Sequence, residues 1–211
     1  MALRDFFVDG ARKRVGDAVE VIERDIEVEV VVTVRKRSGH YRRTDLYTGA
    51  MLAYAMLLFM LFYPQPFDTE WMPVDVVVAF LFGVAFSLEV SAFRRAMTPK
   101  SLLDEAVRLA AHSAFYTLGV SRTTGRTGVL VFVSMFERRV LVVPDVGVNP
   151  EALGPEWASA ALALSSSLRD GPDFELFLSA LGGLKAPLTK GLPVIGTGGH
   201  KNQLANEPVL S

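Results

Sequence analysis

Between Arg43 and Arg94 the chain carries neither lysine nor arginine, and inside that interval lie two runs, Leu46 to Tyr63 and Val74 to Phe93, in which 31 of 38 residues are apolar. A helix crossing ~30 Å of hydrocarbon needs about 20 apolar residues, and the usable range begins near 17. Both runs meet that length. The first has no charge and ends at Pro64; the second has only Asp75 and Glu89, each near an end, where a carboxylate reaches the headgroups. The ten residues PQPFDTEWMP join them, so the spacing predicts an antiparallel helical hairpin. A core helix of a soluble protein is rarely apolar around its whole circumference, which favours a lipid bilayer as the partner of these faces.

The flanking charges give the hairpin a direction. Arg35, Lys36, Arg37, Arg42 and Arg43 precede the first run, and Arg94, Arg95 and Lys100 follow the second. By the positive-inside rule both flanks and both termini are expected in the cytoplasm, with the Asp68/Glu70 loop outside. Tyr47, Tyr63 and Trp71 fall where an aromatic belt is expected. The first apolar run begins only at residue 46, after a charged amphipathic opening, which is read as excluding a cleaved signal peptide. Small residues recur every fourth position at Ala79, Gly83, Ser87 and Ser91 and again at Gly49 and Ala53, a spacing that lets helices approach closely. In the antiparallel hairpin Gly49 and Ala53 are expected at the depth of Ser87 and Ser91. Homodimerisation is the competing use of the same ridge.

Composition matters for what surrounds the hairpin. The chain of 211 residues is 50% hydrophobic and 21% charged, has a net charge of −1 and contains no cysteine. That rules out a disulfide scaffold and a disordered chain, and the apolar excess belongs to the two runs. Residues 3 to 24 place Val8, Ala11, Val15, Ala18, Val19 and Ile22 at helical spacing; Ile26 to Val34 is β-branched and reads as a strand. Thr98 and Pro99 open a helix with the stripe Leu103, Ala106, Val107, Ala110, Ala114 and Leu118, ending at Gly119. Gly128 to Ser134 and Arg139 to Val143 form a β-hairpin, because the turn between them is too short for a parallel crossover. Helices over Pro155 to Leu168 and Asp173 to Ala186 follow.

The expected fold is therefore α/β, a small mixed sheet sandwiched by helices and interrupted by the transmembrane hairpin. The boundaries read as 1–45 for the first helix and strand, 46–93 for the hairpin, 94–187 for the rest of the domain and 188–211 for a flexible tail. Right-handed crossover geometry makes the first two strands parallel neighbours. The sheet then has two rims. One holds the basic residues Arg37, Arg42, Arg43, Arg94, Arg95, Arg138 and Arg139, suited to anionic headgroups. The other holds Asp25, Glu27, Glu29, Asp145 and the loop Val120 to Thr127 with Arg126.

The run HSAFYTLGVSRTTGRTGVLVFVSMFERRVLVVPDVGV, with Phe115, the strand start Gly128, Val129 and Leu130, the turn Glu137 to Arg139, and Asp145 followed by Gly147, resembles the TPM domain. SGHY at Ser38 to Tyr41, the helix of Trp157 and LGGL at Leu181 to Leu184 resemble a bacterial subgroup in which a transmembrane hairpin interrupts that domain. The resemblance covers most of residues 12 to 190. It implies a compact α/β/α sandwich and a bacterial inner-membrane address. For activity it implies a range: weak acid phosphatase activity, calcium binding, or maintenance of membrane protein complexes, with LemA-type membrane proteins as frequent companions.

Little in the residues points to catalysis. His40, His112 and His200 form no pair with metal-ligand spacing, and His112 lies opposite the core stripe of its helix. A Ser134, His112, Asp145 triad is geometrically poor, since Ser134 and Asp145 belong to opposite rims. Gly119, Gly125 and Gly128 lie in the order helix, loop, strand, whereas phosphate loops run from a strand into a helix N-terminus. Asp25, Glu27, Glu29 and Asp145 are the acidic constellation that could take calcium, with Glu27 and Glu29 expected on one strand face and Arg126 opposing a metal. The favoured reading is a noncatalytic accessory protein that binds a membrane complex, a LemA-like partner or a second copy. A phosphatase-like hydrolase and a calcium-responsive module, both on the acidic rim, are the alternatives. Nucleic acid is not an expected partner, given the net charge of −1.

Overall fold

A computed structural model describes residues 9–64, 67–169, 173–193, 204 and 206–210. The chain divides into two compact units, Met1–Ser38 with Asp104–Ser211, and Gly39–Leu103. In the first, α1 (Asp9–Glu23) leads to β1 (Glu29–Arg35). Helix α5 (Lys100–Thr117), which starts in the second unit, leads to β2 (Gly128–Ser134) and β3 (Arg139–Pro144). Helices α6 (Gly154–Ser166), α7 (Phe174–Gly182) and α8 (Lys185–Gly191) follow, then β4 (Val209–Leu210).

The sheet order is β3-β2-β1-β4. β1 and β2 are parallel from Glu29 opposite Gly128 to Arg35 opposite Ser134, as the crossover rule requires. β2 and β3 are antiparallel from Val129 opposite Pro144 to Ser134 opposite Arg139. On one face Val30, Val32, Val34, Val129, Val131 and Val133 pack with Val15, Val19, Ile22, Leu164, Phe177 and Leu181. On the other, Val31, Leu130 and Phe132 pack with Val107, Ala110, Ala111 and Ala114 of α5. Helices on both faces explain why EVVVTVR and GVLVFVS are nearly continuous apolar runs rather than alternating ones.

Three expectations about this unit need correction. β1 starts at Glu29 and not at Ile26, because a tight turn in which Val28 N donates to Ile26 O (2.9 Å) breaks the extended chain. The last expected helix is two, α7 and α8, with Gly182 and Gly183 at the joint. The segment expected to be a flexible tail contributes β4, whose Val209 and Leu210 lie parallel to Thr33 and Val34 and cover an apolar edge of β1. Val8, His200 and residues 194–203 lie outside the described residues.

The second unit holds α2 (Arg42–Phe62), α3 (Met72–Glu89) and α4 (Ser91–Met97). α2 and α3 are each long and apolar enough to cross a membrane. Only 28% and 11% of their most apolar windows is buried, the reverse of what a soluble core helix shows. Leu61, Phe62, Leu81 and Phe82 all point outward.

Inward, the two helices meet through glycine. A Cβ on Gly83 would lie 2.9 Å from Gly49 Cα, and one on Gly49 would lie 2.7 Å from Val84 Cγ2, so the backbones touch where neither residue has a side chain. Gly49 thus lies level with Gly83, not Ser87, one turn away from the expected register. Ser87 instead donates to Asp45 Oδ1 (2.8 Å). The second apolar run is also not one helix to Phe93: at Val90 (φ −92°, ψ 80°) α3 stops, and Ser91 is exposed on α4, off the ridge. Ala53 and Ala79 are half-buried.

Candidate functional site

The acidic rim forms at the end of the sheet where β1 and β2 begin. Asp145 leaves β3 there, its backbone N–H donating to Gly128 O (2.8 Å). Its buried carboxylate takes Arg126 Nε on Oδ2 (2.7 Å) and Arg126 Nη2 on Oδ1 (2.9 Å), and Oδ1 also accepts the Val146 amide (2.8 Å). The forked donor set of arginine fits a carboxylate in this two-bonded way. Arg126 adopts φ +59°, next to Gly125 at φ +80°, which turns the loop so that its side chain reaches back to Asp145. Gly147 closes the arrangement. Its N–H donates to Arg126 O (2.8 Å), and a Cβ there would come within 2.4 Å of Gly125 O. Hydrogen bonding from Arg126 holds the Asp145 carboxyl below its ordinary value, and burial only partly opposes it. The pair fastens the 120–128 loop to the exit of β3.

The other acids do not converge with Asp145. Asp25 pairs with Lys185 Nζ (2.9 Å) on the surface, and Glu27 is exposed. The turn at Ile26 to Val28 removes the alternation that would have put Glu27 and Glu29 on one face. Glu29 is buried and its Oε2 accepts the Leu204 amide (3.2 Å). Among the described residues, no three His, Cys, Asp or Glu side chains stand together as a metal site.

A buried acid that the sequence reading passed over lies beside Glu29. Glu23 closes α1, and its Oε1 accepts the Val30 amide (2.7 Å). Burial pushes its carboxyl up to about 8; the Val30 bond opposes this, and the neighbouring Glu29 charge adds to it. The signal was present: Ala11, Val15, Val19 and Glu23 recur every fourth residue, so Glu23 continues a buried stripe.

At the opposite end of the sheet, Met135 N donates to Arg35 O and Phe136 N to Lys36 O, tying the β2–β3 tip to the end of β1. Glu137, fully buried, accepts Ser38 N on Oε1 (2.9 Å) and Ser134 Oγ on Oε2 (2.5 Å), while Ser38 Oγ and Ser134 Oγ are 2.5 Å apart. Ser38 of the first motif and Glu137 of the second meet in this knot. Ser134 is thus engaged far from Asp145, and His112 is exposed, so the triad is not assembled.

The basic residues divide by role. Arg37, Arg42 and Arg43 are exposed, Arg138 is half-buried at φ +53°, and Arg139 Nε donates to Asp104 (2.8 Å). Arg95 is half-buried. Arg94 departs from the expectation of a headgroup contact: it is buried in the second unit, and its Nη2 bonds Asp45 Oδ2 at 2.5 Å. Thr44 and Thr98 hydroxyls meet at 3.0 Å beside it, and Thr98 Oγ1 donates to Arg94 O (2.7 Å). Asp45 and Arg94, 49 residues apart, show no local pattern from which their pairing follows.

The fold is an α/β one built on a four-stranded mixed sheet, with α2 and α3 as a packed apolar pair. A similar solved structure is the NMR structure of the BA42 protein from the psychrophilic bacterium Bizionia argentinensis, which aligns with a TM-score of 0.57 over 97% of this chain and 94% of that one at 14% identity. At that identity the likeness is one of fold. No protein-family model and no curated protein sequence matches the chain.

Proposed function

We propose that this chain is a membrane-anchored TPM-like accessory protein of a bacterial inner membrane, with both termini in the cytoplasm. Its domain acts by binding a membrane protein complex, a LemA-like protein being the candidate partner, and not by catalysis. The observation that carries the reading is the contrast between the outward-facing apolar surface of α2 and α3 and the buried acids Glu23, Glu29, Glu137 and Asp145 of the domain, each of which is bound by partners within the chain. Calcium binding or hydrolysis at Asp145 has no comparable support, because Arg126 and Val146 occupy its carboxylate oxygens.

The absence of cysteine makes topology directly testable. Single Glu70→Cys and Arg108→Cys variants, both at exposed positions, are treated in spheroplasts with a membrane-impermeant maleimide. Labelling of Glu70→Cys alone is expected; labelling of Arg108→Cys, or of neither in a protein extractable by carbonate, removes the proposed topology. Crosslinking in native membranes tests the partner. Recovery of monomer alone would sink the accessory role.

A further inference from the structure

The two edges of the sheet are finished differently. The outer edge of β1 pairs with β4 at Thr33 and Val34, whereas β3 is the last strand on the other side. β3 pairs one to one with β2, from Val129 opposite Pro144 to Ser134 opposite Arg139, so no bulge interrupts it. The Asp145 amide donates to Gly128 O (2.8 Å), and this fixes the alternation of the ladder. Arg139, Leu141 and Val143 bond β2, and the backbone groups of Val140, Val142 and Pro144 point away from it. Among the described residues nothing bonds the outward N–H and C=O of Val140 and Val142. Edge strands are ordinarily guarded by a bulge, a charge or a proline. Here Arg139 and Pro144 stand at the two ends, and everything between them is Val140, Leu141, Val142 and Val143.

We infer that β3 is a self-association edge: it pairs antiparallel with β3 of a second copy about a twofold axis at Leu141, and the two sheets become one. The strand is its own complement in this register. Val140 lies opposite Val142 of the other copy and the two exchange both backbone bonds; the symmetric pair does the same, so every outward N–H and C=O of Val140 and Val142 is satisfied. With the axis at Val142 instead, Val140 would face Pro144, which has no N–H to return. With the axis at Val140, Val142 would face Arg138, whose φ of +53° takes it out of the strand. The open stretch is thus bounded by Arg138 on one side and Pro144 on the other, and its own reverse fills it completely. Charge agrees with the register, because Arg139 faces Val143 and not another cation. The inference rests on the first unit alone and is separate from the accessory reading.

The test uses full-length protein in detergent micelles, with single cysteines placed in a chain that has none of its own. At the axis the two copies of residue 141 form a pair with Cα atoms about 4.5 Å apart, within disulfide range, so Leu141→Cys is expected to give a covalent dimer on mild oxidation. Val143→Cys lies about 14 Å from its mate in the other copy and should stay monomeric when oxidised alone. Mixed with Arg139→Cys, which it faces, it should crosslink. Val142→Pro removes an N–H that points away from β2 and so spares the β2–β3 ladder. It is expected to raise the dimer dissociation constant, read by sedimentation, at least about tenfold, with an unchanged circular-dichroism melt. A parent protein that sediments as a monomer at every concentration overturns the proposal. So does crosslinking of Val143→Cys alone to the extent of Leu141→Cys, or a dimer that folded Val142→Pro leaves intact. If Val142→Pro does not fold, the crosslinking pattern decides by itself.

Discussion

The two units solve the same packing problem in opposite senses. In the first, apolar side chains fill two layers around the sheet and the charged residues lie mostly outside, apart from acids bound to backbone amides. In the second, large apolar residues face outward, and the interior at one end of the hairpin holds Asp45, Ser87, Thr44, Thr98 and Arg94. In the first unit polar groups lie mostly at the surface; in the second, whose two long helices are apolar enough to cross a membrane, they turn toward each other.

Substitutions can break this contrast. Arg94→Met leaves Asp45 as an uncompensated buried charge and is expected to destabilise the hairpin by about 3–5 kcal/mol; Asp45→Leu combined with Arg94→Met should recover most of the loss. With Trp157 replaced by Phe, Trp71 reports the second unit alone, and its fluorescence melt in micelles measures the change. Recovery smaller than a quarter of the loss would show that the pair does more than neutralise itself.

The domain counterpart is Glu137→Leu, which takes the Glu137 carboxylate from the Ser38 amide and leaves the Ser134 hydroxyl only its Ser38 partner, at an expected cost of about 2–3 kcal/mol. Glu137→Gln should cost less, read by the Trp157 emission melt. Next comes Gly83→Leu, whose side chain would start 2.9 Å from Gly49 Cα. Overpacking of this kind costs about 1–3 kcal/mol and should separate the helices, seen as a lowered melt of the Trp71 signal. The smallest effect is expected for Asp145→Asn, a drop in Tm of a few degrees at neutral pH measured by calorimetry. Because the folded Asp145 carboxyl lies below its unfolded value, its contribution is present above about pH 3.9 and lost as the pH falls through the folded value. The advantage over Asp145→Asn must therefore narrow on acidification. An unchanged gap would mean that Arg126 does not hold the carboxylate in solution.

How much of this was written locally differs between features. Helices α1, α5 and α6, the parallel β1–β2 pair and the β2–β3 hairpin follow from periodicity and connection length, because each expresses a short-range rule. Asp45 was invisible for the opposite reason: it reads as a charge at a helix start, and only the stop at Val90 and the return of α4 reveal Arg94 as its partner. Glu27 and Glu29 looked alike in the strand, yet one turn buries Glu29 and leaves Glu27 in solvent. Arg126 and Asp145 were both noted at one rim, but their bidentate bond depends on a positive φ that the residue type arginine does not announce.

The pairing of Glu29 with Gly128 also sets a schedule. The partner strand of β1 is made 99 residues later, after the entire apolar hairpin, which at ordinary synthesis rates is roughly 5–20 s. Throughout that interval a valine-rich strand has emerged without its central neighbour, the condition under which strands associate with the wrong chain. Synthesis of this protein therefore contains a waiting period, and whatever shields Val30 to Val34 during it bears on yield as much as any contact in the finished fold.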